Sequence, residues 1–566
     1  MGLAKIADSI LETDVLVVGG GMAGCPAAVK ARENGLKVIV AEKANTARSG
    51  SAGVGMDHYP AGLRDYMSPQ EFLANWDKIK RETDLVNDGM DPTRSYRLYT
   101  HQLWSINELE RIGIPMKWDD GKLRPTPGHA TPQLRVHWLN VKPSLATAMR
   151  KSKVEVLERT MVVDLLTKNG AVVGATAIND RTGEFIVIKA KAVIIATGSF
   201  GRCYSPSTPT PWQYKFLYHY CPSSLSGDGW ATAFRAGVEL VNMDYSDIGI
   251  LISDELSISF GNIGQNEGIT PKIFSWDGEE LPIRGMPKPL EYAELEKAGK
   301  GPIYYSIEHL PDDYQKRVEV ACSDERPIAL KLATDRGFNP KSHRYVNMEN
   351  RPFLFRSPSG INTDGYFKSS VPGLYAVGDA TNGGHSCVNA ACGGLLAGND
   401  IVDLVKKAHD PEIDTAQVEA QKEIAMAPLY VKDGTEPMEL ECAIRYVCDR
   451  YVGLFRSEGK LREGLRRLDT LKRVFIPKLM AKNPHYLMRC LEVRNILDMA
   501  EVHIQACMER KETRGDCLRL DYPVKDPSLD GKLQFQKFEN GKVVSSMRKL
   551  TPLNMEVEGE KYACKD

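Results

Sequence analysis

The chain has 566 residues, well beyond the roughly 250 to 300 at which a single hydrophobic core stops growing, so several domains are expected. Lys and Arg total 73 against 74 Asp and Glu, and the formal net charge of −1 supplies no global field for nucleic acid or an anionic membrane surface. No stretch reaches the about 18 apolar residues of a membrane-spanning helix, and Met1 to Asp14 carries acidic residues and lacks the basic start and continuous apolar core of a secretory signal, which predicts a cytoplasmic protein without direct membrane insertion.

Along the chain, Thr13-Asp-Val-Leu-Val-Val is an apolar, β-branched strand that runs into Gly19, Gly21 and Gly24, after which Cys25 to Asn34 reads as a small-residue helix. Gly19 permits a tight turn, Gly21 lets a pyrophosphate approach the backbone, and Gly24 lets the helix pack closely on the sheet, with Met22 and Ala23 at the helix start. A second strand, Lys37 to Glu42, ends in an acid 18 residues after Gly24, placed to accept hydrogen bonds from ribose hydroxyls. Strand, G-x-G-x-x-G turn, helix, second strand and terminal acid together predict a dinucleotide site. A buried strand follows at Lys191 to Gly198, a Pro- and Gly-rich stretch at 278–302, and another strand at Val371 to Asp379. The Gly/Ala-rich run Asn389 to Gly398 then opens a helix. Beyond Pro411, apolar residues at three- and four-residue spacing predict helices at Ala416 to Met426, Glu439 to Phe455, Gly459 to Val474 and Pro484 to Arg510. Leu487, Leu491, Leu497, Ile504 and Cys507 mark the inner face of the last. The basic residues Arg462 to Arg467 and Lys472-Arg473 alternate with acids and read as a solvated helix face, so no nucleic acid is expected. Two short strands joined at Asn540-Gly541 close the chain. The twelve cysteines contain no C-x-x-C and no clustered quartet, so no metal site is expected.

Lys191-Ala-Val-Ile-Ile-Ala-Thr-Gly198 resembles the A-T-G strand of two-dinucleotide flavoproteins, and Gly373-Leu-Tyr-Ala-Val-Gly-Asp379 resembles their second flavin strand. With Glu42-Lys-Ala, Arg48-Ser-Gly50, Gly227-Asp-Gly229, Pro289-Leu290, Gly301-Pro-Ile-Tyr304 and Arg510-Lys-Glu-Thr-Arg-Gly515, the chain resembles the fumarate reductase and succinate dehydrogenase flavoprotein family over nearly its whole length, and within it most closely the α subunits of adenylylsulfate reductases. The resemblance implies FAD, held by Gly19, Gly21, Met22, Ala23, Gly24, Glu42, Lys43, Arg48, Ser49, Gly50, Gly53, Ala196, Thr197, Gly198, Asp228, Gly378, Asp379, Asn389, Gly394 and Leu395. Gly50 stands where succinate dehydrogenases carry the histidine bonded to flavin, which implies a noncovalent cofactor. Glu291 follows Pro289-Leu290 where the family places an active-site arginine, inverting the charge there. Glu291, Arg356, His385 and His137 are the candidate catalytic residues: a carboxylate able to act as base or to anchor a cation, an arginine able to pair with it, and two histidines at flavin-side positions of the family.

The expected fold is α/β: a split Rossmann-like FAD-binding domain in two parts, residues 1–245 and 346–408, with an inserted α+β capping domain at 246–345. A helical domain at 409–515 and a short tail at 516–566, read as a partner-docking segment, complete the chain. The expected function is that of an FAD-dependent subunit of a two-electron oxidoreductase, which acts on a small substrate and exchanges electrons with a ferredoxin-like iron–sulfur partner, with higher oligomers open. Two alternatives stand beside it: a fumarate-reductase-like reduction of an activated C=C bond, and a flavin protein that relays electrons inside a larger complex without substrate chemistry.

Overall fold

The computed structural model describes residues 2–56, 58–61, 67–75, 91–125, 134–136, 138–204, 222, 224–245, 247–249, 252–253, 259–261, 272–283, 289–306, 308–313, 335, 345–347, 351–353, 359–383, 386–515 and 517–557. At its centre, strand β1 (Ser9–Val18) leads through the glycine turn into helix α1 (Gly24–Glu33) and out to β2 (Val38–Ala41). Helix α2 (Val141–Lys151) then precedes β3 (Glu155–Leu157), β4 (Thr160–Lys168), β5 (Ala171–Asn179) and β6 (Phe185–Ile195). The main sheet runs β3-β2-β1-β6-β5-β4, its first four strands parallel and the last two joined antiparallel.

β6 has two partners on one edge. Its first half, Phe185 to Lys189, pairs antiparallel with β5, while Val193 to Ile195 pairs in parallel with β7 (Leu374–Ala376). This half-and-half use of one edge is how a strand from late in the chain reaches the first glycine turn. Alternation along β1 settles the layers, because successive side chains of a strand point to opposite faces. Val15 and Val17 pack with α1, α2 and α4 (Cys387–Lys407), whereas Leu16 and Val18 pack with β4, β5 and α3 (Asp228–Arg235). α1 and α4 approach through glycines: a Cβ on Gly394 would lie 2.2 Å from the Ala23 carbonyl oxygen, and one on Gly398 would lie 2.7 Å from that of Ala27.

The second face of the sheet is continuous with the core of the C-terminal helices α5 (Thr415–Met426), α6 (Pro437–Val447), α7 (Glu458–Phe475) and α8 (Pro484–Glu509). Three of these match the expected spans to within a residue or two. The second ends earlier, at Val447, and continues as a π-helical turn over Cys448–Val452 closed by Gly453 with φ +52°. All five residues expected on the inner face of α8 are buried. The basic face of α7 is solvated, with Arg462 paired to Glu458 at 2.6 Å and Arg466 to Glu463 at 2.7 Å, one helical turn apart. β8 (Lys532–Glu539) and β9 (Lys542–Lys549) form a hairpin in which Glu539 opposes Lys542, and the intervening Asn540 and Gly541 both have positive φ, as a two-residue hairpin turn requires. Among the described residues no helix is long and apolar enough to cross a membrane.

Candidate functional site

A cleft of about 1000 Å³, its open mouth included, lies at the carboxyl ends of β1, β6 and β7, where open α/β sheets bind ligands. One wall is the glycine turn itself, Gly19, Gly21, Met22 and Ala23, and a second is Ala196, Thr197 and Gly198 after β6. Gly378 and Asp379 after β7 close a third side, Ser49 and Gly50 a fourth, and Glu42 marks the end of β2. Asp228 and Thr232 of α3 and Ala390 of α4 also line it, so that three helices present their first turns, the positive ends of their dipoles, to one space.

The glycines of the turn are required by close approach. A Cβ on Gly19, whose φ is +102°, would lie 2.6 Å from the Ala196 carbonyl oxygen, and one on Gly24 only 1.9 Å from that of Gly19. Gly21, by contrast, has open space before it, with nothing nearer than 4.0 Å. Glu42 is buried and accepts backbone N–H bonds from Gly20 and Ala44, both at 2.8 Å, which fixes its carboxylate at the cleft edge with further lone pairs to offer. The hydroxyls of Ser49 and Thr197 line the cleft, are buried, and have no hydrogen-bond partner among the described residues. Buried polar groups are nearly always paired. A cleft with open glycine backbone, a fixed acid and two orphaned hydroxyls in its walls therefore fits a bound dinucleotide.

Lys43 lines the cleft, and its ammonium is held by an ion-pair network. It meets Asp228 and Glu492 at 2.6 Å each and donates to the Ser226 hydroxyl at 2.8 Å. Burial disfavours the charged amine, yet the two carboxylates outweigh burial and hold its pKa above the ordinary value. The network continues inward, with Arg202 and Arg489 both 2.7 Å from Glu492 and Arg202 also paired with Glu441. Burial would raise the Glu492 pKa, but Arg202 and Lys43 prevail and hold it far below the usual carboxylate range.

Of the residues expected to hold the cofactor, fourteen line the cleft: Gly19, Gly21, Met22, Ala23, Glu42, Lys43, Ser49, Gly50, Ala196, Thr197, Gly198, Asp228, Gly378 and Asp379. Gly24, Arg48, Gly53, Asn389, Gly394 and Leu395 are not among its lining residues; Gly24, Gly53 and Gly394 are close-packing positions and Leu395 is core. Thr160, Met161 and Val162 of β4 complete the wall beside Glu42. No motif announces them, because a strand end becomes a pocket wall only through pairing. Glu291 sits exposed in the first turn of the short helix Pro289–Lys297, where a carboxylate suits the helix dipole, and it is not among the cleft residues. Arg356, His385 and His137 lie outside the described residues. Among the described residues no three His, Cys, Asp or Glu side chains group to hold a metal.

Comparison with known proteins agrees with this geometry. A family model described as FAD binding domain matches residues 14–248, and one described as fumarate reductase flavoprotein C-term matches residues 443–559. The fumarate reductase flavoprotein subunit of Haemophilus influenzae is 23% identical over 587 residues, covering 91% of this chain and 90% of that protein. The 8-methylmenaquinol:fumarate reductase flavoprotein subunit of Wolinella succinogenes is 25% identical over 607 residues, covering 98% and 93%. Adenylylsulfate reductase from the hyperthermophilic Archaeoglobus fulgidus shares the fold, with a TM-score of 0.82 at 23% identity and 98% of each chain covered. A glycine turn and cleft shaped for a dinucleotide, continuous with a C-terminal helical region that the second family model also matches, place the chain in the fumarate reductase and succinate dehydrogenase flavoprotein family, as an FAD-dependent oxidoreductase.

Proposed function

We propose that this chain is the flavoprotein component of a two-electron oxidoreductase that holds FAD noncovalently across the cleft, acts on a small substrate, and exchanges electrons with an iron–sulfur partner. The observation that carries the reading is convergence: the turns after β1 and β7, with Gly19 and Asp379 separated by 360 residues, line a single cleft. On this reading Glu42 takes the adenosine ribose, Gly21 and the first turn of α1 take the diphosphate, and Asp379 takes the ribityl chain. The first turn of α4, whose Ala390 lines the cleft, would face the flavin ring. When bound, the flavin supplies hydride or single-electron chemistry; the chain supplies position, exclusion of water and the protons.

Gly50 on the cleft wall supports a noncovalent cofactor, since it offers no nucleophilic side chain. Both relatives are named as flavoprotein subunits, which supports a place in a larger enzyme with an electron partner. The same names favour a second reading, fumarate-reductase-like reduction of an activated C=C bond. Against it stands position 291, where the resemblance implies a guanidinium to pair with a dicarboxylate substrate and this chain carries Glu291 instead. The test is direct. The purified chain should be yellow and should release its colour into the supernatant on acid precipitation. Bleaching by a panel of cationic, neutral and anionic reductants, repeated on Glu291→Gln, then sorts the substrate classes. A colourless chain that takes up no FAD overturns the reading, and fumarate turnover unaffected by Glu291→Gln favours the second one.

A further inference from the structure

Lys142 is a buried lysine beside the cleft with no assigned role. It lies in the first turn of α2 and is 1% exposed, and its ammonium donates to the carbonyl of Gly20, the middle residue of the glycine turn. That carbonyl is its one hydrogen-bond partner among the described residues, and no carboxylate there comes within ion-pair distance. Three features make the placement costly. A buried ammonium without a counter-ion is strongly unfavourable. A cation in the first turn of a helix faces the positive end of its dipole. The first turn of α2 carries no acidic residue to compensate.

The same geometry gives the cost a purpose. Gly20 is gripped on both sides: its N–H donates to Glu42 at 2.8 Å, and its carbonyl accepts from Lys142 and from the Cys25 thiol at 3.2 Å. Burial pushes the Cys25 thiol up to about 11, so it remains a protonated donor. In a trans peptide the C=O of one residue and the N–H of the next point in opposite directions. Holding the Gly20 carbonyl back toward Lys142 therefore turns the Gly21 N–H the other way, into the space where Gly21 lines the cleft. The bond to Lys142 also polarises that peptide.

We propose that Lys142 is a positioning residue for the cofactor diphosphate. It aims and polarises the Gly21 amide from behind the turn, and its unpaired charge is balanced when the diphosphate occupies the cleft. The proposal rests on the placement of FAD given above, and it concerns a residue that does not line the cleft. An anion is thus a structural requirement of this turn as well as a ligand of it.

The full-length chain, freed of FAD and titrated by calorimetry with FAD, ADP and adenosine, tests this. Lys142→Met should weaken FAD and ADP by about tenfold or more, the scale of one lost charge-assisted contact, and leave adenosine within twofold of the wild type. Lys142→Arg, which keeps the charge, should recover most of the loss, and Lys142→Gln repeats the measurement should the Met variant fold poorly. Unchanged ADP affinity in Lys142→Met or Lys142→Gln, or equal weakening of ADP and adenosine, overturns the proposal alone. Failure of the wild-type chain to bind either FAD or ADP overturns the cleft assignment and this proposal with it.

Discussion

On the side of the cleft toward the C-terminal helices, Lys43 meets two carboxylates at 2.6 Å and belongs to a network reaching Glu441. On the side of α2, Lys142 is more deeply buried, at 1% exposed, and among the described residues meets a single carbonyl. The first region is electrostatically complete within the protein, and its cation serves to fasten β2 to α3 and α8. The second is complete only with an anion supplied from outside. Buried charge is therefore not one signal but two, separated by whether the protein or the ligand supplies the counter-ion.

Replacing Lys43 by Met should break the comparison most sharply. It leaves the buried Glu492 and the half-buried Asp228 with one cation fewer, and removing one partner of a buried pair costs ~3–5 kcal/mol, read as a lower denaturation midpoint. Lys142→Met in the FAD-free chain should leave that midpoint unchanged or raise it, because it removes an unbalanced charge. An unaltered midpoint in Lys43→Met, or a large fall in FAD-free Lys142→Met, erases the distinction.

Acid comes next in size. His503 is fully buried, bonding the Met243 carbonyl through Nδ1 at 2.6 Å and the Tyr204 hydroxyl through Nε2 at 2.7 Å; burial, helped by the Arg456 charge, pushes its pKa down to about 3. Burial also lowers His101 to about 4. Both stay neutral when folded while the unfolded chain takes up protons, so stability is fully present above pH 6.5 and falls below it, by ~1.4 kcal/mol per pH unit for each histidine. At Glu441 and Glu492 burial is outweighed by Arg202 and its neighbours, which hold both below their ordinary 4.5 and steepen the fall below that pH. A stability profile flat from pH 7 to 5 contradicts this. The smallest effect belongs to Arg462→Ala. Its pairing with Glu458 is solvent-exposed, and the denaturation midpoint should not move measurably.

Units built from near neighbours in the chain were legible from residue order alone. The glycine turn could be read because Gly19 takes a positive φ and Gly24 must pack against the Gly19 carbonyl, demands set within the turn itself. The hairpin could be read because Asn540 and Gly541 tolerate positive φ. Helices α5, α7 and α8 could be read because apolar periodicity depends on neighbours three and four positions away. The candidate site was legible where it is built from such units, at Glu42, Thr197 and Asp379. It was not legible at Thr160, Met161 and Val162, which enter the wall through the packing of β4.

Local backbone chemistry and side-chain period thus determined the dinucleotide turn, the strands and helices, and the inner face of α8, since each is set by residues within a turn or two. Only the tertiary structure decided that β6 divides one edge between β5 and β7, that Lys43 is committed to Glu492, 449 residues away, and that Lys142 is left facing Gly20. The reason is physical: whether a buried charge is paired depends on which distant segments pack around it, and residue type and spacing carry no record of that.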